Sequence, residues 1–208
     1  APYLLAKIDP KKKSRDPAHA KREAIIEGID SDYYAYDWFD EDEEDDEEPD
    51  EDDGLTWRQR MKAEQAKKAP YDPRWLDAAV ALKNDGLVDA LALPNHAGAI
   101  AFSKELFDTQ MKKAKTPGDV QGALMTMLRV GHPDVADAFF AGVAKMGKKT
   151  PPYYLYWYAN MLPKLPAAAI PRVEATIAAF TKEVAESVGE DWHQKLTKLK
   201  AKHAPKPV

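Results

Sequence analysis

Cysteine is absent from all 208 residues. That removes disulfides, thiolate metal sites and cysteine nucleophiles, and it fits a cytoplasmic protein. No apolar run approaches the ~20 residues that cross a bilayer. The first residues, Ala1-Pro-Tyr-Leu-Leu-Ala6, lack the charged-then-apolar order of a secretory signal. No membrane partner is therefore expected. The five histidines, His19, His96, His132, His193 and His203, show no HExxH or comparable spacing, so neither a metal nor a cofactor is expected. His96 and His132 each stand beside an expected inter-helix turn and read as capping or surface residues. Glu190-Asp191-Trp192-His193 groups carboxylates with an imidazole, but consecutive side chains diverge on a helix.

Catalytic motifs are equally scarce. Gly142-Val-Ala-Lys-Met-Gly147-Lys148 matches the opening of a phosphate-binding loop, yet Lys149 stands where magnesium needs serine or threonine, and Pro151-Pro152 block the helix that should receive the phosphate. The stretch reads as a helix-ending glycine followed by solvated lysines. No catalytic residue is expected, and the chain is read as a non-enzyme.

What the sequence does contain is a charge split. Residues 40–53 are acidic at every position except Pro49. Up to Asp53 there are 7 lysines and arginines against 20 acids, a formal −13; from Gly54 onward there are 23 against 15, or +8. Like charges at the density of 40–53 repel one another out of a compact fold. Two parts follow: a disordered acidic N-terminal arm over 1–53, and a helical domain over 54–208, close to the common domain size of about 150 residues. The arm holds a basic cluster, Lys11-Lys-Lys-Ser-Arg15, and a short helix entered through Asp16 and Pro17. It also holds the aromatic run Tyr33-Tyr-Ala-Tyr-Asp-Trp-Phe39. Tyr34, Tyr36, Trp38 and Phe39 are candidate docking residues for a protein partner that the carboxylates steer; the alternative is a strand or loop whose rings pack on the body. The tract lacks the glycine hinge and alternating ligands of an EF-hand, so any calcium binding would be weak.

The body has helical periodicity. Residues 55–68 read as a charged surface helix. From Pro73, Leu76, Ala79, Val80 and Leu82 supply a buried face, and Asn84-Asp-Gly86 reads as a turn. Val120, Ala123, Leu124, Met127 and Leu128 fall at i, i+3, i+4, i+7 and i+8. Gly131 can end that helix in the left-handed conformation, and His132-Pro133-Asp134 opens another that buries Ala136, Phe139, Phe140 and Val143. So short a link implies antiparallel helices. Asn95, Pro133 and Pro171 are 38 residues apart, and each opens an apolar stripe, the last made of Val173, Ile177, Phe180 and Val184.

The stretches Ala123-Leu-Met-Thr-Met-Leu-Arg-Val-Gly-His-Pro-Asp-Val-Ala-Asp-Ala-Phe-Phe140 and Met161-Leu-Pro-Lys-Leu-Pro-Ala-Ala-Ala-Ile-Pro-Arg-Val-Glu-Ala-Thr-Ile177 resemble HEAT or armadillo-type helical repeats over residues 73–189. The expected fold is all-α, either antiparallel helix pairs in a short HEAT-like solenoid or an irregular helical bundle. The resemblance implies a scaffold with a concave surface for proteins or nucleic acid, and it carries over no catalytic residue.

The aromatic block Pro151-Pro-Tyr-Tyr-Leu-Tyr-Trp-Tyr158 has two readings: a central helix packed on both sides, or rings lining a binding groove. On the second, Tyr154, Trp157 and Tyr158, with Lys148, Lys149 and Lys164 at the edge, are candidate protein-binding residues. The expected function is a non-catalytic protein-interaction scaffold whose acidic arm steers or gates binding to the basic body. The alternative is a nucleic-acid-binding HEAT-like protein, such as a DNA-repair enzyme of the alkyl-purine glycosylase type, with the arm as a nucleic-acid mimic; Lys195, Lys198, Lys200 and Lys202 near the C-terminus would then meet phosphates.

Overall fold

A computed structural model describes residues 73–147 and 150–205, and every element in them is helical. The acidic tract, both helices expected before Pro73, and the candidates Tyr34, Tyr36, Trp38, Phe39, Lys148 and Lys149 lie outside the described residues. The described residues fall into two compact units, one ending at Leu91 and the other beginning at Ala92.

In the first unit α1 (Pro73–Ala81) packs against α2 (Asp85–Ala90). Leu76 and Ala79 are buried on α1, as the periodicity predicts, with Leu87 and Val88 on α2. Asn84-Asp-Gly86 is not a turn but the start of α2. Asn84 has extended backbone angles and its side-chain oxygen accepts a hydrogen bond from the Leu87 N–H at 3.0 Å, while the turn itself falls on Lys83 at φ 51°. Asparagine serves both roles, and here the cap wins because Asp85 in the first turn adds a favourable charge at the positive helix end.

The second unit runs through α3 (Ala97–Lys113), a 3-10 turn (Pro117–Val120), α4 (Gln121–Arg129), α5 (Val135–Val143) and α6 (Tyr154–Met161). Two further 3-10 turns, Leu162–Lys164 and Ala167–Ala169, lead into α7 (Ile170–Ala178) and α8 (Lys182–His203). The three positions spaced by 38 residues each fall at a helix start, ahead of α3 and α5 and inside the first turn of α7. The helices they open are unequal, at 17, 9 and 9 residues. His96 caps α3, its Nδ1 accepting from the Ala99 N–H at 3.1 Å, whereas His132 braces the turn before α5, its Nδ1 accepting from the N–H of Asp134, the residue at the α5 N-cap, at 2.9 Å. Gly131, at φ 68°, closes α4 with His132 N–H bonded to the Met127 carbonyl and Gly131 N–H to the Leu128 carbonyl. That double bond satisfies carbonyls the helix end would otherwise strand.

The core of this unit is built on α6, which packs against α4, α5 and α8. Leu155, Tyr158, Ala159 and Met161 are buried, and they meet Val120, Ala123, Leu124 and Met127 of the preceding stripe. Two buried polar handles fix the aromatic centre. The Tyr158 hydroxyl donates to the Pro117 carbonyl at 2.9 Å, and the Trp192 indole N–H donates to the Leu155 carbonyl at 2.9 Å. The Phe139 ring lies between them, 5.2 Å from Tyr158 and 6.0 Å from Trp192. Gly142 on α5 makes room for this arrangement, because a Cβ at that position would collide with the Tyr158 hydroxyl and ring.

The C-terminal helix begins at Lys182, where Thr181 supplies a cap, its hydroxyl oxygen accepting from the Val184 N–H at 3.4 Å. The stripe from Val173 to Val184 is therefore split by the break between α7 and α8. Val173 is fully buried, whereas Ile177, Phe180 and Val184 are half-buried. On α5 the buried residues are Val135, Ala138, Phe139 and Gly142; of the expected set, Ala136, Phe140 and Val143 are half-buried. The two partly covered stripes belong to neighbouring walls of one depression.

Candidate functional site: an apolar groove on the second unit

An open groove of about 570 Å³ lies between the end of α5, one side of α7 and the first turn of α8, with Leu155 of α6 among its lining. Phe140, Val143 and Met146 line it from the α5 side, and Phe180 and Val184 from the α7–α8 side. Phe180 is held edge-on to the buried Trp192 ring at 5.1 Å and 80°, so the groove rests directly on the aromatic centre. Thr176 and Thr181 are its polar neutral lining residues, and Arg172 is its charged one.

Arg172 is placed by two contacts. Its guanidinium stacks over the Phe140 ring, 4.1 Å from the centroid, and Nη1 donates to the Asp137 carboxylate at 2.5 Å. Both side chains remain open to water, Arg172 at 49% and Asp137 at 77% exposure, so the pair is solvent-screened and contributes little to stability. Arg172 also sits in the first turn of α7, a turn with no acidic residue. A cation there opposes the helix dipole, and the local potential of this corner is positive.

No protein family, curated protein or solved structure matches the chain. The site is therefore read from its own chemistry.

The candidate residues from the aromatic block separate. Tyr158 is fully buried and hydrogen-bonded, so its ring is part of the core and presents no surface. Tyr154 and Trp157 are half-buried, and Lys164 is exposed. The outward side of α6 is carried instead by Tyr153 and Tyr156, at 56% and 49% exposure. Tyr153 stacks on Tyr154 at 4.5 Å, and Tyr156 meets Trp157 edge-on at 5.9 Å. The buried and outward sets follow from the 100° step of a helix: Leu155, Tyr158, Ala159 and Leu162 share one side, and Tyr153 and Tyr156 the other.

The lysines near the C-terminus are unequal: Lys198 is half-buried, and Lys200 and Lys202 are exposed but partnered. Lys195 is buried, Lys200 pairs with Glu174 of α7 at 2.6 Å, and the Lys202 ammonium donates to the Pro163 carbonyl at 3.0 Å. Among the described residues no group of three histidines, aspartates or glutamates is placed to hold a metal, and no helix is long and apolar enough to cross a membrane. The groove residues Phe140, Val143, Phe180, Val184 and Arg172 were not among the sequence candidates for a site. A signal was present: α5 and the α7–α8 segment each carry a wider apolar stripe than one neighbouring helix can cover.

Proposed function

We propose that this protein works by binding a segment of another protein in the groove between α5, α7 and α8, without chemistry of its own. The observation that carries this reading is the groove: an open depression of about 570 Å³, lined mainly by apolar side chains, in a unit whose core is otherwise closed by paired aromatic handles. Exposed apolar surface rimmed by polar groups is the ordinary form of a protein-docking site, and helices dock in such grooves through side chains at i, i+3, i+4 and i+7. The helix starts recurring every 38 residues support a HEAT-like arrangement of the body, a scaffold class that presents surfaces rather than reaction centres. On the same reading the acidic stretch 40–53 steers or gates encounters by its charge.

Binding selections with the full chain against random helical peptides test this. Sequences with an apolar stripe should be enriched, and Val184→Asp, which places a charge on the groove wall, should abolish their binding. Enrichment that survives Val184→Asp would move the site elsewhere. Deleting residues 33–53 should change the association rate and its salt dependence, since screening shortens from about 10 Å at 0.1 M to about 3 Å at 1 M salt.

A nucleic-acid reading draws on the exposed Tyr153 and Tyr156 beside Lys164, since rings and lysines together stack and neutralise single strands. Against it, the lysines of α8 that would contact phosphates are spent on Pro163 and Glu174. The protein reading is the better supported.

A further inference from the structure

Resting on the groove reading, we infer that the occupant is an amphipathic helix carrying a carboxylate at the edge of its apolar stripe, and that Arg172 reads this carboxylate in exchange for Asp137. Among the described residues that line the groove Arg172 is the one charged side chain, and its sign fixes the complementary charge. Its position does not depend on Asp137 alone, because the Phe140 ring beneath the guanidinium holds it against the wall by a cation–π contact. Asp137 is largely exposed and bonds through one carboxylate oxygen to one guanidinium nitrogen, so it is a partner that water or a second carboxylate can replace at small cost. Guanidinium offers five N–H donors in a planar fork, and a carboxylate arriving from the groove side can take two of them at once. The uncomplemented first turn of α7 adds to the attraction. Asp137 thus acts as a placeholder that keeps the groove's cation paired until an acidic partner arrives.

The placeholder role predicts opposite signs for the two members of one ion pair, which a merely structural pair would not show. The test uses the full chain and two synthetic helical peptides, each with leucines at i, i+3, i+4 and i+7, identical except for one Glu or Gln flanking the stripe. Titration calorimetry should give the Glu peptide about tenfold tighter binding than the Gln peptide, the equivalent of ~1.4 kcal/mol. Arg172→Gln should remove that advantage, Asp137→Asn should increase affinity for the Glu peptide several-fold, and the Gln peptide should respond to neither substitution. Equal binding of the two peptides to the unmodified chain overturns the inference without relying on any variant to fold. So does weakening by both substitutions alike, or the absence of Glu-peptide binding at millimolar concentration. Displacement of the Glu peptide by an equimolar single-stranded oligonucleotide would overturn it in favour of a phosphate site. Val184→Asp separates the levels: if it abolishes both peptides while Arg172→Gln changes nothing, the groove stands and the carboxylate reading falls. If Val184→Asp leaves both bound, the groove reading falls as well.

Discussion

The two halves of α8 behave as different elements within one continuous helix. From Val188 onward it is locked: Trp192, Leu196 and Leu199 are buried, the indole is bonded to α6, and Lys200 and Lys202 tie the helix to α7 and to the 3-10 turn at Pro163. Before Val188 it is mostly bare, with Val184 half-buried on the groove wall and exposed residues on either side. Sequence composition does not set this difference, since both halves mix apolar and charged residues. What differs is the presence of a facing helix. α6 covers the second half, whereas the first half faces the outward end of α5 across an open space. Stability and binding should therefore be separable along this helix, with large folding penalties at one end and large binding penalties at the other.

The greatest contrast is expected between two aromatic rings that touch. Trp192→Ala deletes the buried ring and strands the Leu155 carbonyl, and it should cost about 3–5 kcal/mol in urea unfolding. Phe180→Ala, one ring further out, should cost only about 1 kcal/mol while weakening peptide binding more than Trp192→Phe does. Equal unfolding costs for Trp192→Ala and Phe180→Ala would break the division of α8.

Next in size is the junction of α5 and α6. Gly142→Ala should destabilise the chain by about 1–3 kcal/mol by overpacking, because the added methyl meets the Tyr158 hydroxyl first. Tyr158→Phe alone should cost about 1–3 kcal/mol, since the Pro117 carbonyl loses its buried donor. The double variant should cost less than the sum of the two, as removing the hydroxyl relieves the clash. Strict additivity would mean that Gly142 is conserving helix flexibility rather than making room for the ring.

The locked side was legible in the sequence and the open side was not. Val120, Ala123, Leu124 and Met127 repeat at helical spacing and are all buried, and Gly131 and His132-Pro133-Asp134 mark a boundary through local backbone chemistry. Periodicity records which residues want to leave water. It does not record whether a partner helix is there to receive them, so Phe140, Val143, Phe180 and Val184 read as core when they line a groove. For the same reason the sequence leaves Tyr154, Trp157 and Tyr158 open to two readings, packed helix or binding groove: the three lie close together on α6, and the Pro117 carbonyl and the space at Gly142 take Tyr158 inward. Asn84 and Thr181 were missed as helix starts because a polar residue between apolar segments serves equally as turn or cap.

The smallest expected effect is a pH dependence at the α4–α5 turn. His132 is buried, and its Nδ1 accepts the Asp134 N–H, so the imidazole must be neutral to keep this turn bond. Burial holds its pKa below the ordinary value of 6.5; Lys104 pushes the same way, while Asp134 and Asp108 oppose. Below about pH 6.5 the unfolded chain takes up a proton that the folded chain resists. Stability is therefore intact above that value and declines as the pH falls from there towards the folded pKa. The loss is of the order of one hydrogen bond, about 0.5–1.5 kcal/mol. His132→Asn keeps an acceptor that does not titrate, so urea midpoints compared between about pH 7.5 and about pH 5.5 should differ less than in the unmodified chain. A pH response that His132→Asn leaves unchanged would place the titrating group elsewhere.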